Sequence, residues 1–500
     1  MDLVERRVTS QAVSGTIPCM VSEDGGQPTT QELAGARDLT TGSVPRHVIA
    51  FSLPMLAGSA IQTGYSFVNA FWVGKFLGTA ALAAITVSMP VIFVTIAVAA
   101  SLTLATNVLV SQHFGAREWD RLKAAVQTSA ALIGIVAVGL LALGLAFAER
   151  LLVTIHTPPD VFPTAAPYLH IMLFTLPLNF GVFLLASMLR GIGDSRTPVY
   201  FQAWALGLNA LLDPLLMFGL AGFPRLGLNG TAYASIVAQI AAVIALMIYI
   251  PRRRPLIMPD WRRPRVDRET ALLLVKIGFP AMIQQSVVSV SRVVIVSLVS
   301  QFGSDADAAF GAALRIDGVA FLPAITFGMA VSTLAGQNIG AGRFDRVRQV
   351  FWWGLVLSGG ISAVITAFAV GIPGLMLRIF LNEPEVIKIG VTYLRIVGFT
   401  YVLYAALFVC NGVINGAGHT LPTTLFSMAT LWGIRLPLAA LLPRYLGSER
   451  GIWYAMLISV GCGMILSAAY YASGRWKRPV VRHARRGLAS RTDAAHVEEL

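Results

Sequence analysis

Twelve times along this chain, apolar residues continue almost without charge for the length a helix needs to cross hydrocarbon. The runs lie at roughly 48–74, 80–111, 124–148, 164–189, 197–220, 228–250, 270–299, 306–337, 350–375, 389–414, 420–442 and 451–472. A helix rises about 1.5 Å per residue, so about 20 apolar residues cross a core about 30 Å thick. Lipid offers no partner to a backbone N–H or C=O, and runs of this length are too long for barrel strands, so each run is predicted to be a helix. Only 13% of the residues are charged, about half the share in a soluble domain. The expected fold class is an all-α polytopic membrane protein with twelve transmembrane helices.

The formal charge of +13 is distributed in a way that argues against nucleic acid. Arg and Lys gather on alternate connections: Arg117, Arg121 and Lys123; Arg190 and Arg196; the arginines of 252–268; Arg343, Arg346 and Arg348; and the tail from Arg475. The positive-inside rule then places both termini in the cytoplasm, for a bacterium beneath the inner membrane. The basic tail, 473–500, reads as an anchor near anionic lipid. Residues 1–45 are polar, lack a signal-like apolar core and read as a disordered cytoplasmic extension. Cys19, Cys410 and Cys462 lack disulfide or zinc spacing, and the scattered histidines form no metal or catalytic set, so an enzyme is not expected.

The chain also repeats. QHFGAREWDR at 112–121 returns as QNIGAGRFDR at 337–346, so Gln, Gly, Ala, Asp and Arg recur 225 positions later. GIGDSRTP from Gly191 returns as GAGHTLP from Gly416, and Pro54 of the first run returns as Pro280 of the seventh. Two six-helix lobes follow, 46–250 and 269–472, joined by the basic linker 251–268. An even number of spans gives both lobes the same orientation, related by an axis along the membrane normal. The glycines of these motifs are expected to make tight positive-φ turns. GIGDSR is not a phosphate loop, since no strand precedes it and no lysine follows in register.

One carboxylate, Asp213, stands alone in the uncharged stretch 197–220. An acid in hydrocarbon costs a few kcal/mol or more and is kept where it faces protein or water. Asn209 shares its helical face, and Pro214 leaves the carbonyl of Ala210 without its helical partner. Such oxygens suit Na+ or H+. Gln62, Tyr65 and Asn69 share a face of the first span, which is expected to bend at Pro54, and Thr231 opens the sixth. Counted along the helices, Asn69 and Asp213 reach a common depth. Asp213, Asn209, Asn69 and Thr231 are the candidate ion ligands, and Gln62, Tyr65 and Pro54 the candidate cavity lining. The alternative for each is a polar side chain satisfied within a helix interface. The second half carries Arg292, Arg315, Asp317 and Arg435 instead, read mainly as buried packing groups, with a cavity biased towards anionic or zwitterionic solutes as the alternative; Arg315 and Asp317 do not face one another, so each is expected to pair elsewhere or lie near a span end.

The repeat, QxxGA after the second span of each half, RGIGDSRTP, NALLDP and LRIDGVAFLP together resemble the multidrug and toxin extrusion (MATE) family, in particular its prokaryotic DinF-like branch, over residues 46–472. The resemblance implies two pseudo-symmetric six-helix lobes and alternating access. It implies export of organic, often cationic and amphipathic, drug-like compounds against Na+ or H+, with no other cofactor or metal. It assigns the ion site to Asn209, Asp213 and Thr231, with Gln62 and Tyr65 at the family's polar first-span positions. This chain departs from the family where Asn69 stands in place of an Asp, leaving one negative charge, and where Val288 or its neighbours replace another branch's second-lobe acid. A monomer in lipid is expected. A lipid or lipid-linked-sugar flippase and a channel are the competing readings.

Overall fold

The computed structural model describes residues 36–481 apart from 155–156 and 260–265, and it is helical throughout its spans. The first lobe contains α1 (Val44–Phe76), α2 (Gly78–Ala116), α3 (Trp119–Thr154), α4 (Phe162–Leu173), α5 (Thr175–Gly191), α6 (Arg196–Phe218) and α7 (Leu228–Arg253). The second begins with α8 (Arg268–Ser300), α9 (Ser304–Ala320), α10 (Leu322–Gly340) and α11 (Phe344–Gly371). It continues through the short α12 (Pro373–Leu377), α13 (Pro384–Val397), α14 (Thr400–Gly416), α15 (Thr420–Met428), α16 (Leu436–Leu446) and α17 (Arg450–Ala472).

Eleven of the described helical runs are long and apolar enough to cross a membrane, and α13 with α14, bent by 41°, supplies the twelfth. Proline explains part of the irregularity. Pro323 opens α10 one turn after α9 ends, and Pro437 follows a π-helical turn at Ala429–Arg435. Pro54 does not break the first span: α1 runs through it, as α2, α6 and α8 run through Pro90, Pro214 and Pro280. Neighbouring turns carry those helices past one missing N–H. Ile135, Leu143, Trp204 and Leu211 stand exposed, as a lipid-covered surface requires.

Each lobe lends its first helix to the other. The opening turns of α1, at Val44, Val48, Phe51 and Met55, are buried with Phe327, Val331 and Leu334 of α10 and Val413 of α14. Symmetrically, Leu274 and Ile277 of α8 are buried with Ala105 and Leu109 of α2 and Ala125 of α3. The lobes meet at the face where both described ends of the chain lie, here the terminal face.

At that face α2 and α10 are in backbone contact. A methyl at Gly115 would run into the carbonyl of Gln337, and one at Gly340 into that of Gln112. Gln112 Nε2 donates to Gly416 O (2.7 Å) and Gln337 Nε2 to Gly191 O (2.8 Å), one bond from each lobe to the other. Thr333 adds a third, to Asn107 Oδ1 (3.0 Å). The expectation of turn glycines therefore holds at Gly193, Gly342 and Gly418, whose φ is positive, and is corrected at Gly115, Gly191, Gly340 and Gly416. Those four are helical, and what they provide is close approach.

The terminal segments need a second correction. Residues 36–43 are not a loose extension but are hydrogen-bonded to both lobes: Arg37 donates its N–H to Ile192 O of the first, and Arg343 and Arg346 of the second donate to carbonyls of 40–42. Residues 1–35 and 482–500 lie outside the described residues.

Candidate cation site in the first lobe

Asp213 is 2% exposed, near the far end of α6 from the terminal face. Its Oδ2 accepts from Tyr65 OH (3.0 Å) and Asn69 Nδ2 (3.1 Å), both on α1. Asn69 Nδ2 also lies 3.4 Å from Tyr65 OH. The common depth expected from helix rise is thus a direct contact. Tyr65, placed in the cavity lining by sequence, instead donates to the acid. Tyr168 of α4, 6% exposed, interacts electrostatically with the same carboxylate.

The other oxygen is different. Asp213 Oδ1 is buried with no hydrogen-bond partner, and so is Asn209 Oδ1. The two residues are four apart on α6, hence on one helical face. A buried acceptor left unpaired costs about 1–3 kcal/mol, more when charged, so two together need an occupant. The amide of Asn209 is turned the other way: Nδ2 donates to Ser235 Oγ (3.1 Å) on α7, which donates to Thr231 O (3.0 Å). Thr231 Oγ1 donates to Leu228 O (2.9 Å) of its own helix and makes no bond to Asp213. It reaches the site only through Ser235.

Gln62 is not bonded to the acid; its Oε1 accepts from Gln202 Nε2 (2.9 Å), a second link between α1 and α6. Pro54 lies half-buried near the other end of α1. Among the described residues no three His, Cys, Asp or Glu come together. The donor set of one carboxylate, amide and hydroxyl oxygens fits a monovalent hard cation or a proton.

The second lobe does not reproduce this site. The stretch GIRLPLA at 433–439, which corresponds to 209–213, holds no carboxylate or amide and overlaps the end of the π turn. Arg435 donates to Ser459 Oγ (2.8 Å) and Tyr404 OH (3.2 Å), in keeping with a packing role. Arg292 departs from the expected burial, and Arg315 pairs away from Asp317. Both are exposed, and Arg315 lies over the ring of Phe380 (5.7 Å), since a long side chain can carry its charge to a polar boundary. Asp317 is the buried group, with both oxygens satisfied by Tyr393 (2.5 Å) and Tyr401 (2.6 Å).

The description MatE belongs to a family whose profile matches residues 54–215 and 280–441, one match in each lobe. The chain belongs to the MatE family. A probable multidrug resistance protein of Bacillus subtilis, YoeA, is 31% identical over 458 residues, covering 91% of this chain and 99% of its own. A second from that organism, YpnP, is 32% identical over 443 residues, covering 88% and 98%. The outward-facing conformation of a multidrug resistance MATE family transporter of the MOP superfamily matches with a TM-score of 0.82, at 20% identity over 88% of this chain and 97% of that one. That likeness carries the fold alone. As a MatE protein the chain is a multi-pass membrane transporter and not an enzyme.

Proposed function

We propose that this MatE transporter exports small organic compounds, often cationic and amphipathic, in exchange for Na+ or H+ by alternating access, with its terminal face in the cytoplasm of a bacterial inner membrane. The names of its relatives, probable multidrug resistance proteins, supply the substrate class. The observation that carries the coupling is the pair of unpartnered buried oxygens, Asp213 Oδ1 and Asn209 Oδ1.

In the ion-free state, Tyr65 and Asn69 tether the outer half of α1 to the charged carboxylate through Oδ2. Hydrogen bonds to a charged group are worth about 1.5–3 kcal/mol, roughly twice a neutral bond. Asp213 neutralised by Na+ or H+ holds those donors less tightly, so α1 is freer to reposition. Substrate that binds the other conformation better shifts the equilibrium back, and coupling is the difference in affinity between the two. Asn69 can offer an amide oxygen to a cation but cannot take up a proton, so one charge is neutralised at this site per cycle.

The test is transport in everted vesicles with Na+ and pH gradients imposed separately. Wild type is expected to export a cationic dye under one of them. Asp213→Asn is expected to reach the membrane at wild-type level and lose ion-driven export; undiminished ion-dependent export by that variant refutes the assignment.

A further inference from the structure

Each described end of the chain lies across the seam between the lobes. At the start, Arg37 donates its backbone N–H to Ile192 O (3.0 Å) in the turn after α5, and Asp38 pairs with Arg117 (3.7 Å), both in the first lobe. The second lobe grips the next residues. Leu39 N–H donates to Gln337 Oε1 (3.1 Å), Arg343 to Thr40 O (2.5 Å), and Arg346 to Thr41 O (3.1 Å) and Gly42 O (2.9 Å). The Leu39 side chain, 2% exposed, is buried in the apolar cluster of α10 and α11 with Leu334, Ile339 and Val350.

The other end mirrors this arrangement. Val480 donates its N–H to Ala417 O (3.1 Å), 225 residues after Ile192, and His419 Nε2 donates to Arg478 O (2.7 Å), both in the second lobe. Val481, 1% exposed, is then buried where the lobes meet, in one cluster with Leu274 and Ile277 of α8 and with Ala105, Leu109 and Ala125 of the first lobe. Gly193 and Gly418, with φ of 87° and 86°, make room for the two segments. A side chain at 193 would run into the carbonyl of Arg37, and one at 418 would lie 3.1 Å from Val480 Cβ.

The internal repeat cannot have produced this match, since one segment precedes the first span and the other follows the last. A terminus that needed only tethering could dock on its own lobe; each of these reaches the opposite one. We propose that residues 36–43 and 478–481 are a matched pair of straps that hold the lobes together at the terminal face, and that both release when the transporter opens there. The proposal rests on the alternating-access reading above. The straps add their grip to the Gln112 and Gln337 bonds, and their release sets how often the terminal side opens to substrate.

The test reads the seam directly. Spin labels at Lys123 and Arg348, exposed positions 225 apart in α3 and α11, are introduced in full-length protein with Cys19, Cys410 and Cys462 replaced, and their separation is measured in lipid nanodiscs by double electron–electron resonance. Leu39→Asp and Val481→Asp are each expected to raise the population of a wider state about tenfold, as expected for a minor state in a two-state protein. The Arg343→Gln/Arg346→Gln double variant, which leaves both apolar plugs intact, is expected to shift it in the same direction and carries the test if a charged plug prevents folding. Unchanged distances in variants that still unfold cooperatively overturn the proposal, because a segment that merely anchors the terminus would alter stability without widening the seam. Vesicle transport by wild type separates the two readings: wider distances without ion-driven export leave the straps standing and reject the exporter, whereas export with unmoved distances does the reverse.

Discussion

At the scale of single residues, the site is built from one acid whose two oxygens have different duties. Oδ2 is occupied by Tyr65 and Asn69, while Oδ1 is buried without a partner, as is Oδ1 of Asn209 four residues earlier on α6. Tyr65→Phe removes a donor that stabilises the ion-free carboxylate. Na+ binding is expected to tighten about tenfold, the equivalent of a charged hydrogen bond of about 1.5 kcal/mol, measured by isothermal titration calorimetry; loss of binding would instead make the phenol oxygen a ligand. Asn69→Asp is expected to strengthen cation binding as well, by adding a second charge, and an unchanged ion dependence of transport would reduce Asn69 to packing. Asp213, Asn209 and Asn69 were legible in sequence because an acid or amide is conspicuous among apolar neighbours. Ser235 and Tyr168 were not, since hydroxyl and aromatic groups are common in spans, nor was Gln202, whose amide lies about three turns before Asp213. Spacing could have found two of them: Gln202 lies seven residues before Asn209 on the same face, and Ser235 four after Thr231. The direction of the Thr231 hydroxyl, turned to its own helix, is a rotamer choice that sequence does not encode.

At the scale of helices, the close crossing of α2 and α10 depends on absent side chains. Gly115→Ala and Gly340→Ala put a methyl into the partner's backbone, so each is expected to separate the lobes at the terminal face. Their pseudo-symmetry predicts like effects, checked by the alkylation rate of a cysteine placed at Ser111, which is fully buried in the seam; protection equal to wild type would contradict the contact. The start of α8 has a different support. Asp267 caps it by accepting from Thr270 N–H (2.8 Å) and Thr270 Oγ1 (2.6 Å), and these bonds hold its carboxyl below the usual carboxylate range. Because the folded value is depressed, the contribution is present above the unfolded value and lost as pH falls through the folded one. Asp267→Ala is expected to cost about 1 kcal/mol or less at pH 7, given its exposure to solvent, and the difference in Tm from wild type should vanish in strong acid. Span number was readable from uncharged length, whereas helix ends were not: the run at 124–148 belongs to the helix Trp119–Thr154. The π turn at Ala429–Arg435 and the 41° bend between α13 and α14 were not, because they answer to neighbouring helices as well as to local residues.

At the scale of the molecule, the 225-residue repeat announced two like lobes. It could not reveal that α1 and α8 begin in each other's lobe, because an internal repeat identifies equivalent parts and not their contacts. Nor did it reveal the ordered segments at 36–43, whose polar composition suits a free chain until arginines from the other lobe claim their carbonyls. The exchange of first helices has an expected outcome of its own. Polypeptides divided within 260–265, made separately, should each aggregate or be degraded, and should form a functional complex only when produced together, judged by co-purification through a tag on one part. A stable, monodisperse first part on its own would mean that its opening helix can find shelter at home.

The same exchange gives α1 a mechanical character. Its root is fixed in one bundle while its tip carries Tyr65 and Asn69 in the other, so it works as a lever with its fulcrum at the crossing. On the proposed coupling, a displacement of the tip would reach the opposite bundle through α1 itself, with no chain of intervening side chains needed as messengers.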